Sequence, residues 1–536
     1  MSIYQVYLFF VTGIIVVGFI LGFIVSFITK KKLVANIQRL WEDKKPSEEF
    51  IRPNARFDYQ FKLRRDNHTG SLVDDKTWSD LNFDTIFHRS NFNFTAIGEM
   101  KWYATLRNMF SIKNDELLER FTNEADFRTQ VAYRLALIGK VTYPLFPDQI
   151  APIKRNNLFM LCPFLPLISI VIAFINPSIG ILFILLSVLF NIGLSAILKK
   201  SYNQDLMSLF YSAKVLKQSQ LLSRIEGTPK IAVAFQHFKG LGFLVGFLSK
   251  ADSQSLGGAL MMLLKLSLML DYFFFHIIQS TYYKYQNELL ECYDYISNLD
   301  NQYTLAMYRR TLDTYCEPII VETEQKVDFE NLIHPLLEDG VPNALNVNQN
   351  ILLTGSNASG KSTFMKAVAI NLILAQTLNI ATADKFMYKP GLVYSSMVNV
   401  DDILSGDSYF MAELKSIRRL FNRSDDRPVY CFIDEIFKGT NTTERIAASE
   451  SVLEYLSEQK EHRIIAATHD IELSERLKRS YENYHFNESI EDYHIYFDYK
   501  IKKGKANTRN AIELLRITQF PSDIYQRAKE YVKTIN

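Results

Sequence analysis

The run Gly355-Ser356-Asn357-Ala358-Ser359-Gly360-Lys361-Ser362 satisfies GxxxxGK[ST]. At this spacing a glycine-rich turn lets backbone N–H groups curl around phosphate oxygens. In that chemistry Lys361 reaches the β and γ oxygens of a nucleoside triphosphate, the Ser362 hydroxyl ligates Mg²⁺, and Thr363 completes the binding run. A second group is Asp434-Glu435, which ends the apolar run Val429-Tyr430-Cys431-Phe432-Ile433. Adjacent acids on a surface loop are ordinarily solvated charge. At the end of an apolar run, Asp434 is suited to hold Mg²⁺ directly or through water, and Glu435 to act as general base on an attacking water. A third group, Ala466-Ala467-Thr468-His469-Asp470, follows Ile464-Ile465 and sets His469 where it could hydrogen-bond a γ-phosphate or that water. Phosphate-anhydride hydrolysis is the chemistry these residues could do, with ATP and Mg²⁺ as the expected ligands.

Each group needs an element to carry it. Ile351-Leu352-Leu353 reads as a short buried strand before the loop, and Thr363 to Leu378 reads as a helix after it. Val429 to Ile433 reads as a central parallel strand whose carboxyl end presents the acids. The expectation is an α/β P-loop domain.

The rest of the chain sets the context. With 536 residues it has room for two or three domains, and its formal charge of +2 gives no global basic field. Cys162, Cys292, Cys316 and Cys431 lie far apart, form no CxxC pair, and fit a reduced compartment. Met1 to Thr29 carries no charge and is followed by Lys30-Lys31-Lys32; the absence of a basic start and of a cleavage site favours a retained anchor over a signal peptide. Asn156 to Leu198 is also uncharged and is broken by the turn signal Asn176-Pro177-Ser178, which fits two passes of roughly 20 residues each. Lys154-Arg155 and Lys199-Lys200 flank that pair. By the positive-inside tendency, three crossings follow, with the N-terminus outside and everything after Lys199 in the cytoplasm. Gly257 to Ile278 contains Lys265, Asp271 and His276, and reads as a buried core helix because charges within a span are costly.

Several motifs together resemble the MutS mismatch-repair ATPases. They are Asn357 in the phosphate loop, Ser405-Gly406-Asp407-Ser408-Tyr409-Phe410-Met411-Ala412-Glu413, and Asp434-Glu435-Ile436-Phe437-Lys438-Gly439-Thr440-Asn441-Thr442. The ending Gly504-Lys505-Ala506-Asn507-Thr508-Arg509-Asn510-Ala511 with Phe520-Pro521-Ser522-Asp523-Ile524 joins them. Upstream, Asp74-Asp75-Lys76-Thr77-Trp78-Ser79-Asp80-Leu81 through Leu106-Arg107 is similar to the start of that family's helical core. The resemblance implies an ABC-type ATPase head at 315–536 that works as a homodimer, joined to an all-α core and lever region. That region is expected at 74–155 and 199–314, interrupted by a transmembrane hairpin at 156–198; 1–29 is the anchor and 30–73 a cytoplasmic connector. By the same resemblance, Ser408 reaches the γ-phosphate of the opposite subunit, Asn357 contacts phosphate, and His469 is the switch histidine. Thr440 to Thr443 lies near the dimer seam, and Tyr499 stacks on adenine. Tyr409 departs from the usual threonine beside the trans-acting serine.

Between the anchor and the helical core there is no room for the family's mismatch-reading domain. Phe486-Asn487-Glu488 has that domain's FxE spacing but falls inside the head. The hairpin stands where the family's levers would carry a DNA clamp. The leading expectation is therefore a membrane-anchored MutS-like ATPase coupled to DNA, in mismatch repair or on another DNA structure. The alternative is a membrane-tethered, ATP-driven switch acting on a protein or lipid partner without DNA. Three crossings split by a large soluble segment make a poor transporter path, and Lys500, Lys502, Lys503, Lys505 and Arg509 read as a solvated face rather than a DNA groove.

Overall fold

The computed structural model describes residues 24–25, 27–45, 57–68, 70, 72–112, 115–141, 146, 153–241, 244, 263–322, 326–356, 359–397, 409–421, 427–437, 440–491, 494–506, 511–518 and 520–535. Its principal helices before the sheets are α1 (Asp75–Asp80), α2 (Ala96–Leu106), α3 (Ala125–Ile138), α4 (Phe164–Ile175), α5 (Pro177–Leu222), α6 (Leu270–Lys284) and α7 (Gln286–Thr311). There follow β1 (Ile319–Ile320), β2 (Val327–Leu332), β3 (Asn343–Val347), β4 (Asn350–Thr354), α8 (Lys361–Leu378), β5 (Lys385–Tyr388), β6 (Leu392–Ser396) and α9 (Tyr409–Arg418). The chain continues through β7 (Val429–Asp434), α10 (Thr442–Ser457), β8 (His462–Ala467), β9 (Tyr481–Glu491) and β10 (His494–Lys503). The described residues sort into two compact units, one from Met1–Tyr59, Phe92–Lys101 and Asn114–Met307, the other from Gln60–Asn91, Trp102–Lys113 and Tyr308–Asn536. The stretch 74–155 is thus shared between the two.

Among its described residues the first unit carries helices and no strand. Its core holds a buried carboxylate, Asp300 on α7, which accepts from Phe94 N at 3.0 Å, Thr95 N at 2.8 Å and Thr95 Oγ1 at 2.6 Å. These donors sit at the start of α2, where no intrahelical carbonyl can reach them. Gly98 is required there, because a Cβ would lie 2.2 Å from Asp300 Oδ2. Burial pushes the Asp300 carboxyl up to about 6, against the pull of the hydrogen bonds it accepts.

The turn expected at Asn176-Pro177 is present. Asn176 ends α4 and caps α5 by accepting from Ile179 N at 3.3 Å, and Pro177 takes the first helical position, where a missing N–H costs nothing. At the turn the two backbones approach closely, since a Cβ on Gly180 would lie 2.1 Å from Ala173 Cα. α5 continues for 46 residues, about 69 Å at 1.5 Å per residue. The expectation of three transmembrane helices is corrected. Among the described residues one helix, Pro177–Leu198, is long and apolar enough to cross a membrane, and its partner α4 has only 12 residues. Pro163 explains the shortfall: it has no N–H to donate and it stands immediately before α4, so the apolar run preceding it does not join that helix. The crossing expected in 1–29 lies almost wholly outside the described residues. From Leu270 onward the Gly257–Ile278 stretch forms α6, which buries Tyr272, Phe275, His276 and Ile278.

The second unit is α/β and holds two sheets, one four-stranded in the order β1-β5-β2-β3 and one six-stranded in the order β10-β9-β4-β8-β7-β6. From β9 to β6 the larger sheet is parallel. Its central strands are apolar on both faces, and Leu352, Cys431, Ile433, Ile464 and Ala466 pack with Leu453 and Leu456 of α10.

The outer strand β6 is closed by α1, far away in sequence. Thr77 Oγ1 accepts from Ser395 N at 3.1 Å, and Asp80 Oδ2 accepts from Met397 N at 3.0 Å and from Ser395 Oγ at 2.9 Å. Arg419 donates to Ser395 O and to Asp74, and Asp74 caps α1 through Thr77 N at 2.7 Å. The open edge of the sheet is thereby satisfied by side chains rather than by another strand. Arg107 fastens the segment by pairing with Asp75 at 2.9 Å, donating to Val73 O at 3.1 Å, and lying 4.2 Å from the Trp78 ring centroid. Asp80→Ala removes one acceptor from three donors, Lys76 included. It should lower the stability of this unit by about 2–4 kcal/mol, measured by urea unfolding; a loss below about 0.5 kcal/mol would contradict the edge-closing role.

Candidate nucleotide site

The phosphate loop occupies the turn between β4 and α8. Gly355 and Gly360 have φ of +143° and +107°, values that only glycine adopts without strain. At Gly355 a Cβ would also press on Phe486 O at 3.1 Å. Lys361 Nζ donates to Gly355 O and Ser356 O, both at 2.8 Å, so the lysine is folded back over its own loop. Ser359 Oγ donates to Ser356 O at 2.9 Å and tightens the same turn. Ser362 and Thr363 stand in the first turn of α8, where backbone N–H groups have no intrahelical partner.

The neighbouring strands bring the other groups alongside. β4 and β7 both pair in parallel with β8, Leu353 and Asp434 each standing opposite Ala467. Ser362 Oγ donates to Asp434 Oδ2 at 2.5 Å, and His469 Nε2 pairs with Glu435 Oε1 at 2.6 Å. Glu435 sits at φ +55°, a strained value for a residue with a side chain, held by its N–H bond to Ala467 O at 2.9 Å. Arg445 of α10 grips Asp470 at 2.7 and 2.9 Å and fixes the turn that carries His469. Serine hydroxyl and aspartate carboxylate are hard oxygen donors that suit Mg²⁺. Among the described residues there is no cluster of three or more carboxylate, histidine or cysteine ligands. One carboxylate with substrate phosphates is how Mg²⁺ is usually held, so the donor set fits.

Ser356, Ser359 to Thr363, Glu435 and Tyr499 line a cavity of about 400 Å³, with Asp434 and His469 behind it as the partners of Ser362 and Glu435. Asn357, Ala358 and Ser408 lie outside the described residues. Two further walls were not anticipated from the sequence. One is the segment running from Leu332 to Asn343, including His334, Leu337 and Val341. The other is Phe486, which packs on Phe364 with ring centroids 5.7 Å apart, while Glu488 accepts from Ser356 Oγ. The FxE spacing therefore serves the phosphate loop. Asn441 caps α10, accepting from Glu444 N at 3.0 Å. The four lysines of the basic run are engaged by their neighbours, with Lys502 on Asp498, Lys503 on Glu482 at 3.6 Å, Lys505 on Glu475 at 2.5 Å, and Lys500 donating to Pro342 O, while Arg509 lies outside the described residues.

Burial, with Lys366 and Arg89 nearby, lowers the His334 pKa from the usual 6.5 to about 4. Its Nδ1 accepts from Leu336 N at 3.2 Å, as a neutral imidazole must. Because the folded pKa is depressed, the associated stability is present above 6.5 and is lost as pH falls from 6.5 towards 4. Urea unfolding across that window should show a shallower pH slope in His334→Asn than in the parent, by up to one proton; equal slopes would refute a buried neutral imidazole.

Residues 351–536 match the family model for MutS domain V, the ATPase domain of that family. Among curated relatives, "DNA mismatch repair protein MutS" of Fusobacterium nucleatum subsp. nucleatum is 29% identical over 280 residues, covering 50% of this chain and 31% of that protein. The protein of the same name from Microcystis aeruginosa is 31% identical over 238 residues, covering 41% and 27%, and that from Desulfatibacillum aliphaticivorans is 29% identical over 238 residues, covering 41% and 26%. The chain thus spans about a quarter to a third of the length of these relatives. The loop, the paired acids and the histidine all fall within the segment that is similar to MutS domain V.

Proposed function

We propose that this protein hydrolyses ATP at its MutS-type head and couples the cycle to DNA, in mismatch repair or on another DNA structure. The observation that carries the hydrolytic reading is that Lys361, Ser362 and Glu435 line one cavity, with Asp434 paired to Ser362 and His469 to Glu435. When a triphosphate enters, Lys361 exchanges its loop carbonyls for β and γ oxygens. Glu435 takes the proton of the attacking water, and His469 holds that carboxylate in line. Ser362 and Asp434 would hold Mg²⁺, which supplies Lewis-acid charge at the phosphate oxygens when bound. Ser408 of a second copy completes the site, which makes a homodimer through the heads the working form. The DNA link rests on the relatives, each named as a DNA mismatch repair protein.

A second reading, a membrane-tethered switch with a protein or lipid partner and no DNA, draws support from the α4–α5 hairpin. Leu182, Leu185, Leu186, Leu189, Phe174 and Ile175 are all exposed, the last two at 87% and 83%. An apolar surface of this kind points to lipid rather than water. Lys154, Arg155 and Lys200, which flank the hairpin in sequence, support a cytoplasmic head at the cell membrane by the positive-inside tendency.

ATP hydrolysis by the full chain in nanodiscs, with no DNA, matched duplex, a mismatch and a four-way junction at two salt concentrations, decides between the readings. Glu435→Gln should lower kcat by about 100-fold or more. Stimulation by a DNA form establishes the first reading; hydrolysis indifferent to every DNA selects the second; no hydrolysis by the parent protein sinks both. For the hairpin, a nitroxide on Leu186→Cys in nanodiscs should be open to oxygen and shielded from a water-soluble nickel chelate, and one on Lys200→Cys should show the reverse. Nickel access at both positions would refute insertion.

A further inference from the structure

β10 breaks its pairing with β9 between Phe497 and Ile501, and Tyr499 lies within that break at φ +52°. A tyrosine in the left-handed region is strained and persists only where its surroundings hold it. The ring is held over the phosphate loop, with Cδ1 3.1 Å from the point a Cβ on Gly360 would occupy, and it lines the cavity. From the other sheet, a side-chain amide holds the backbone on both sides of Lys500. Asn343, the first residue of β3, donates through Nδ2 to Tyr499 O at 3.0 Å and accepts through Oδ1 from Ile501 N at 2.8 Å. Its Nδ2 also donates to Val341 O at 3.2 Å. Gly340 and Val341 line the same cavity as Tyr499. The Asn343 amide thus ties the wall segment to the bulge that carries the ring through two bonds to its backbone, beside the Lys500 side chain on Pro342 O. An amide is required, because the bulge presents one carbonyl and one N–H, and aspartate or leucine cannot serve both.

We propose that Asn343 is a positioning residue for the nucleotide base. It fixes Tyr499 and the Gly340-Val341 wall as the two sides of a slot whose aromatic face accepts the π-face of a base, while Lys361 and Ser362 receive the phosphates. This rests on the ATP reading above.

The test is equilibrium binding by the full chain, in detergent with Mg²⁺, of ATP and of tripolyphosphate, which has no base. Asn343→Ala should weaken ATP binding about tenfold, as loss of a base stack does, and Tyr499→Ala should do the same. Tripolyphosphate affinity should stay within about twofold in both variants. The double variant should bind ATP no more weakly than either single, because the two act as one unit. Asn343→Asp, which keeps the acceptor and loses the donor, should fall between parent and alanine. Unchanged ATP affinity in Asn343→Ala, equal loss of both ligands, or additive losses in the double variant would each overturn the positioning role and leave the ATP reading standing. A parent protein that binds neither ligand would remove both.

Discussion

Register between parallel strands is the constraint on which the rest of the head depends. β8 serves as the common reference: Ala467 stands opposite Leu353 on one side and Asp434 on the other. A slip of one residue in either pair would turn the alternating side chains to the opposite face. Ser362 would then lose Asp434, and His469 would lose Glu435. Burial of all three strands on both faces makes such a slip expensive, so the core that stabilises the sheet also sets the geometry of the chemistry.

Strain gathers around the same place. Glu435, Phe437 and Tyr499 take positive φ without being glycine, beside the two loop glycines that need it. Two of them are held by named bonds: Glu435 by a backbone bond to β8 and Tyr499 by Asn343. The rigid sheets offset the cost of these conformations, which no short peptide of the same sequence would keep. Closing the β6 edge with Thr77 and Asp80 serves that rigidity, because an open strand edge is a ready site for unwanted pairing.

In the helical unit the governing requirement is different. Asp300 gathers three donors at the start of α2 without another charge within hydrogen-bond distance among the contacts just described, and Lys140 pairs with Glu99 at 3.0 Å in the same interior. From this unit α5 extends as one unbroken rod into the apolar hairpin.

Much was legible in the sequence because it is local. The strand, loop and helix around Lys361, the acids at the end of Val429–Ile433, and the Asn176-Pro177 turn each declare themselves within a few residues, where spacing dictates backbone form. The expected hairpin pair was misjudged in one arm, since apolar composition counts residues and is blind to Pro163. What only the tertiary structure decided are contacts between distant segments. Asn343 meets Tyr499 across 156 positions, Asp80 meets Met397 across 317, and Glu488 meets Ser356 across 132. No periodicity announces such pairs: a side chain's hydrogen-bond partner depends on which strand the fold sets beside it. Sequence therefore determined which residue types gather at the glycine-rich loop, and the packing of two sheets decided where the cavity walls stand.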